Sequence, residues 1–253
     1  MQKAFRIFLI ILSFILFSCS GKNQFPEKKS EKLPFSAITV NQPIFKNVLP
    51  AFDSLAKQSL SVELQQLKSF IAKYENREKD FSVEKMEALW MITKSNIELS
   101  GFETVSAWTE TTGFLLEVTG KPLYAEALQQ LSSEEKTGLS DPETKLVEQL
   151  LARYIFTKNV DHIFVNLFAD SSVEYVHSLG GKIKITQELT GTNSLLLKFV
   201  TTEKRYIEVH ILIPEWANNP TVIEKNVKYV ANPGEYCLIA RKWKEGDVVE
   251  VKF

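Results

Sequence analysis

Two cysteines in 253 residues exclude most thiol chemistry at the outset. With Cys19 placed at the end of a leader-like stretch, Cys237 stands by itself, so neither an intrachain disulfide nor a cysteine cluster for a metal is available. An excess of one charge is lacking too. The 30 Lys and Arg residues nearly balance the 31 Asp and Glu residues, for a net charge of −1. The basic residues are scattered among acidic ones, which leaves no electrostatic footprint for nucleic acid. Histidine is scarce: His162, His177 and His210 are dispersed, and none has a sequence neighbour at metal-ligand spacing. They read as structural residues, and no metal site is expected. No Gly-rich phosphate loop, Gly-x-Ser-x-Gly elbow or His-Glu-x-x-His segment occurs. No apolar run reaches the roughly 20 residues that a spanning helix needs. The composition, 44% hydrophobic and 24% charged, is that of an ordinary globular protein.

The first residues are a different kind of text. Lys3 and Arg6 precede the apolar run from Ile7 to Phe17, which has the length of a signal-peptide core. It ends in Leu16-Phe17-Ser18-Cys19, which resembles the bacterial lipobox, in which the cysteine is lipidated and becomes the first residue. Residues 1–18 are therefore expected to be a lipoprotein signal peptide, with an N-terminal lipid on Cys19 as the membrane anchor. Residues 19–50, rich in Lys, Ser, Pro, Gln and Asn, read as a flexible tether.

Helical periodicity governs residues 51–157. An apolar stripe runs through Phe52, Leu55, Leu60, Leu64, Leu67, Phe70, Ile71 and Tyr74. Ser82 is a candidate N-cap for a second helix carrying Met86, Leu89 and Trp90. A third runs from Gly101 to Gly120, a fourth opens at Pro122, and Ser140-Asp141-Pro142-Glu143 is a capping box for the fifth. Short polar turns between them suggest antiparallel hairpins. From residue 158 onward the period becomes two. About nine short strands follow to Phe253, with turns at Gly180-Gly181, Gly191-Thr192, Pro233-Gly234 and Glu245-Gly246-Asp247. The expected fold class is α+β: about five antiparallel helices, then a C-terminal antiparallel β-sandwich of jelly-roll-like form.

The C-terminal text supports a more specific comparison. Ile213-Pro214-Glu215-Trp216-Ala217, Pro233-Gly234-Glu235-Tyr236 and the run from Arg241 through Trp243 to Glu250 resemble the β-sandwich of glycoside hydrolase family 127, the β-L-arabinofuranosidases. Val165-Asn166-Leu167-Phe168 resembles the strand that opens that module, and residues 116–126 resemble the family's last helical hairpin. The resemblance implies a helical barrel with a cysteine nucleophile held beside a glutamate and two further cysteines around zinc. In this sequence Glu103-Thr104-Val105 takes the place of the Glu-Thr-Cys motif, and Leu139-Ser140 the place of the Cys-Cys pair. Glu103 alone is retained, so the family's zinc is expected to be absent: Val and Leu offer no metal ligand, and a serine is not an equivalent one.

Asp141 with Glu143, and Glu84 with Glu87, are better explained as helix-start and surface charge than as paired catalytic carboxylates. Trp90 and Trp108 fall on apolar helix faces and read as core, whereas Trp216 and Trp243 are candidate carbohydrate contacts. The chain is thus expected to be a lipid-anchored protein of the bacterial envelope, non-catalytic, with a glycan or another envelope protein as partner and no nucleic acid. A glycosidase rebuilt around Glu103 or completed by a partner chain, and an envelope structural protein without a glycan ligand, are the alternatives.

Overall fold

The computed structural model describes residues 25–44, 48–50, 60–133 and 136–253. Cys19, the signal segment and the stripe residues Phe52 and Leu55 lie outside them. The chain enters through β1 (Glu31–Lys32), a turn of 3₁₀ helix (Phe35–Ala37), β2 (Ile38–Val40) and β3 (Val48–Pro50). Five helices follow: α1 (Val62–Glu75), α2 (Val83–Asn96), α3 (Phe102–Thr119), α4 (Pro122–Ser133) and, after β4 (Lys136–Leu139), α5 (Asp141–Ala152). None is long and apolar enough to cross a membrane.

The expected helix signals act where the sequence places them. The Ser61 and Ser82 hydroxyls accept from the amides of Leu64 and Lys85, and Glu143 accepts from the Ser140 amide at 2.8 Å. These bonds satisfy amides that a helix start would otherwise leave without partners. Gly120 ends α3 at φ +67°, a left-handed cap that glycine takes without strain. α3 is the axis of this half: α1, α2, α4 and α5 all pack against it. Trp90 stacks on Trp108 at 5.1 Å and donates to Thr112 Oγ1, so both tryptophans are core, as their helix faces imply.

Ten strands complete the chain: β5 (Phe156–Asn159), β6 (His162–Val165), β7 (Ser171–Val176), β8 (Lys182–Gly191), β9 (Ser194–Thr201), β10 (Arg205–Ile213), β11 (Thr221–Glu224), β12 (Val227–Tyr229), β13 (Glu235–Trp243) and β14 (Val248–Lys252). One sheet has the order β1-β5-β6-β10-β13, the other β12-β11-β14-β9-β8-β7-β2, and β3 pairs with β4 separately. Alternate residues, such as Leu195, Leu197 and Phe199 on β9 and Ile207, Val209 and Ile211 on β10, turn inward. The Phe199 ring lies on Trp243 of the facing sheet, 3.8 Å between centroids. This is an α+β architecture with the two sheets arranged as a sandwich.

Three features differ from the sequence reading. First, β6 runs parallel to β10, pairing Glu208 with His162 and His210 with Phe164, so the sandwich is not wholly antiparallel. Second, β5 begins four residues after α5, inside the stretch assigned to helix. Its buried Phe156 carries no period of its own, and pairing with β6 decides its state.

Third, residues 25–44 are docked rather than free. β1 pairs with β5 and β2 with β7, and Leu33, Ile38 and Ile44 are buried. The anchor is Glu117 of α3, whose buried carboxylate accepts from Lys28 Nζ (2.6 Å) and the Lys32 amide (2.9 Å). Its carbonyl accepts from the amides of Lys29 and Ser30. Polar composition concealed this, because the segment contributes backbone groups and scattered apolar side chains rather than an apolar run.

Candidate functional site

Of the positions that the family resemblance ties to chemistry, only Glu103 carries the family's group. Glu103 sits in the first turn of α3 and is exposed. Two residues on, Val105 is fully buried, and Leu139, at the end of β4, is 1% exposed. Ser140 caps α5, its hydroxyl donating to Glu143 at 2.7 Å. Cys237 is the one free thiol among the described residues. It lies inward on β13, and burial pushes its thiol up to about 11, the opposite of what a nucleophile or a zinc thiolate needs. The residues present therefore do not fit the zinc centre that the resemblance implies. No step of hydrolysis can be assigned to them.

The motif residues hold the fold instead. Asn166, fully buried, donates to the Tyr154 carbonyl and to Thr157 Oγ1 at 3.1 Å and accepts from Tyr236 Oη at 2.6 Å. It thereby ties the end of α5 and β5 to β13. Asp247, 1% exposed, accepts from Lys225 Nζ and from the Lys244 amide, both at 3.0 Å. Arg241 lies beside it and also pairs with the buried Glu224. Burial alone disfavours a charged Asp247, yet these bonds outweigh it and hold the carboxyl below the usual range.

The two candidate sugar contacts separate sharply. Trp243 is fully buried, with its ring on Phe199 and its Nε1 donating to the Ile207 carbonyl at 3.0 Å. A surface glycan has no face of it to reach, and the expectation for Trp243 is withdrawn. Trp216 is 56% exposed in the turn after β10, edge-on to Phe253, which in turn packs on Phe168. The same turn is pinned to α4: the Glu215 amide donates to the carboxylate of Glu126. Burial, with Glu215 nearby, raises the Glu126 carboxyl above its ordinary value. The turn thus presents an exposed indole edge-on to one aromatic ring, with the carboxyl groups of Glu126 and Glu215 nearby.

The histidines divide as well. His177 is structural: its Nε2 lies 3.0 Å from the Tyr206 carbonyl and its Nδ1 accepts from the Leu179 amide. His162 and His210, far apart in sequence, are brought together by the parallel pairing of β6 and β10. His162 Nδ1 is 3.6 Å and His210 Nε2 3.8 Å from the same Glu208 oxygen. The spacing test along the sequence missed this group. The only local signal was that Glu208 and His210, two apart on an alternating strand, share a face.

Residues 162–253 match the family model described as β-L-arabinofuranosidase, GH127 middle domain. Among solved structures, a GH127 β-L-arabinofuranosidase from Geobacillus stearothermophilus T6 is 18% identical, covering 58% of this chain and 30% of its own, with a TM-score of 0.48. A second GH127 β-arabinofuranosidase is 20% identical over 60% of this chain and 32% of its own, at 0.49. A third structure, described as a glycoside hydrolase, is 19% identical with the same coverage and the same score. No curated protein matches the chain. The chain spans about a third of the length of these solved relatives. Its sheet region, residues 162–253, is thus similar to the middle domain of the β-L-arabinofuranosidases of glycoside hydrolase family 127.

Proposed function

We propose that the chain is a non-catalytic relative of these hydrolases, lipid-anchored in the bacterial envelope through Cys19, where its sheet unit serves as an accessory glycan-binding module. The observation that carries this reading is the chemistry at the family's catalytic positions: buried Val105 and Leu139 and the helix cap Ser140, with the described thiol of Cys237 buried and unreactive. Trp216 supports the binding role as the exposed indole of the site. Binding to an array of arabinofuranose-containing glycans tests it. The proposal expects retained glycans on the parent chain and loss on Trp216→Ala with the fold intact. Equal binding by the variant would remove Trp216 from the role. Binding to no glycan at all would favour a structural envelope protein. The anchor is tested separately by labelled palmitate, whose incorporation should disappear in Cys19→Ala.

A further inference from the structure

We propose that His162, Glu208 and His210 form a binding site for one divalent transition-metal ion of the zinc class. The three side chains leave the same outer face of the five-stranded sheet, because β6 and β10 pair in parallel with His162 opposite Glu208. Their donor atoms all lie within 4.8 Å of one another. The two histidine nitrogens converge on one carboxylate oxygen at 3.6 and 3.8 Å. Those separations are too long for hydrogen bonds. They are only slightly wider than the roughly 3.4 Å edge of a tetrahedron with ligands at about 2.1 Å from zinc. The two nitrogen–oxygen edges need contract by only a few tenths of an ångström, and a rotation of the half-exposed His162 side chain would bring its nitrogen nearer that of His210.

A second observation points the same way. Nε2 of His210 is cut off from solvent and makes no hydrogen bond, although a buried ring nitrogen ordinarily finds a partner. That atom is the one aimed at Glu208.

The surroundings hold the donors in place. Phe164 stacks on the His210 ring at 4.4 Å, and Tyr206 Oη donates to the other oxygen of Glu208 at 3.1 Å. The His162 side chain remains 47% exposed, which leaves a solvent-facing position for water or for a donor from a partner. Two imidazoles and one carboxylate suit zinc, or cobalt and nickel in its place, better than calcium or magnesium, which favour all-oxygen shells. The ion would clamp β6 to β10 through side chains, independently of any glycan bound at Trp216.

The test is calorimetric titration of the full purified, chelator-treated chain with zinc chloride, paralleled by the visible spectrum with cobalt(II). The proposal expects one ion per chain, a cobalt spectrum of tetrahedral or five-coordinate type, and loss of both in His162→Ala and in Glu208→Gln. His162 is exposed enough for its truncation to leave the fold intact, which a far-ultraviolet circular dichroism spectrum verifies. Tyr206→Phe should weaken the affinity about tenfold without changing the stoichiometry, as loss of an outer-shell bond does. Absence of stoichiometric binding, or zinc bound equally well by His162→Ala and Glu208→Gln, overturns the proposal.

Discussion

Two tryptophans that look alike in sequence have opposite fates. Trp243 lies in the seam between the sheets, so Trp243→Ala removes a buried ring and leaves a cavity between Phe199 and β10. It should cost about 3–5 kcal/mol, read as a lower urea midpoint. Trp216→Ala, at an exposed turn, should stay within about 0.5 kcal/mol of the parent while removing glycan binding. Asp247 gives a prediction in pH. Its carboxyl is depressed in the folded chain, so the unfolded chain binds the extra proton in acid. Its contribution is full above the ordinary aspartate value of about 4 and is lost as pH falls through the lower folded value. The stability gap between the parent and Asp247→Asn should therefore be widest near neutrality and shrink below about pH 4. A gap that is flat with pH would contradict the ion-pair account.

Among the elements, α3 carries the strongest constraints. At Gly113 an added Cβ would lie 2.1 Å from the buried Tyr154 ring. Gly113→Ala must displace that ring and should cost about 1–3 kcal/mol, the usual penalty of overpacking. Glu117, on the same helix, holds residues 28–32 through four donors. Glu117→Ala should leave the helical core assembled but open that segment to limited proteolysis and rapid amide exchange. Unchanged protection would mean that β1 and β2 hold the segment by themselves. The helices were legible because their caps are local: Ser82, Pro122 and the Ser140–Glu143 box each act within one turn. The docking of residues 25–44 was not legible, since its anchor lies some 85 residues away in the chain. β5 was hidden likewise, by pairings that only the assembled sheet supplies.

At the scale of the whole molecule, several residues that resemble the hydrolase family make bonds that hold the fold together. Asn166 and Tyr236 join the helical half to the sheets, while Arg241 and Lys225 neutralise Asp247 and Glu224. The opposite exposures of Trp216 and Trp243 were not legible, because alternation along β13 does not say which face the sandwich closes over. The histidine–glutamate group was illegible, since a parallel pairing between strands more than forty residues apart defines it. The account's central claim is a fold inherited without its reaction. Its most direct test is release of arabinose from a synthetic β-L-arabinofuranoside by the purified full chain, with zinc supplied. The account predicts no release above the uncatalysed rate. Turnover that depends on enzyme concentration and disappears in Glu103→Ala would contradict it.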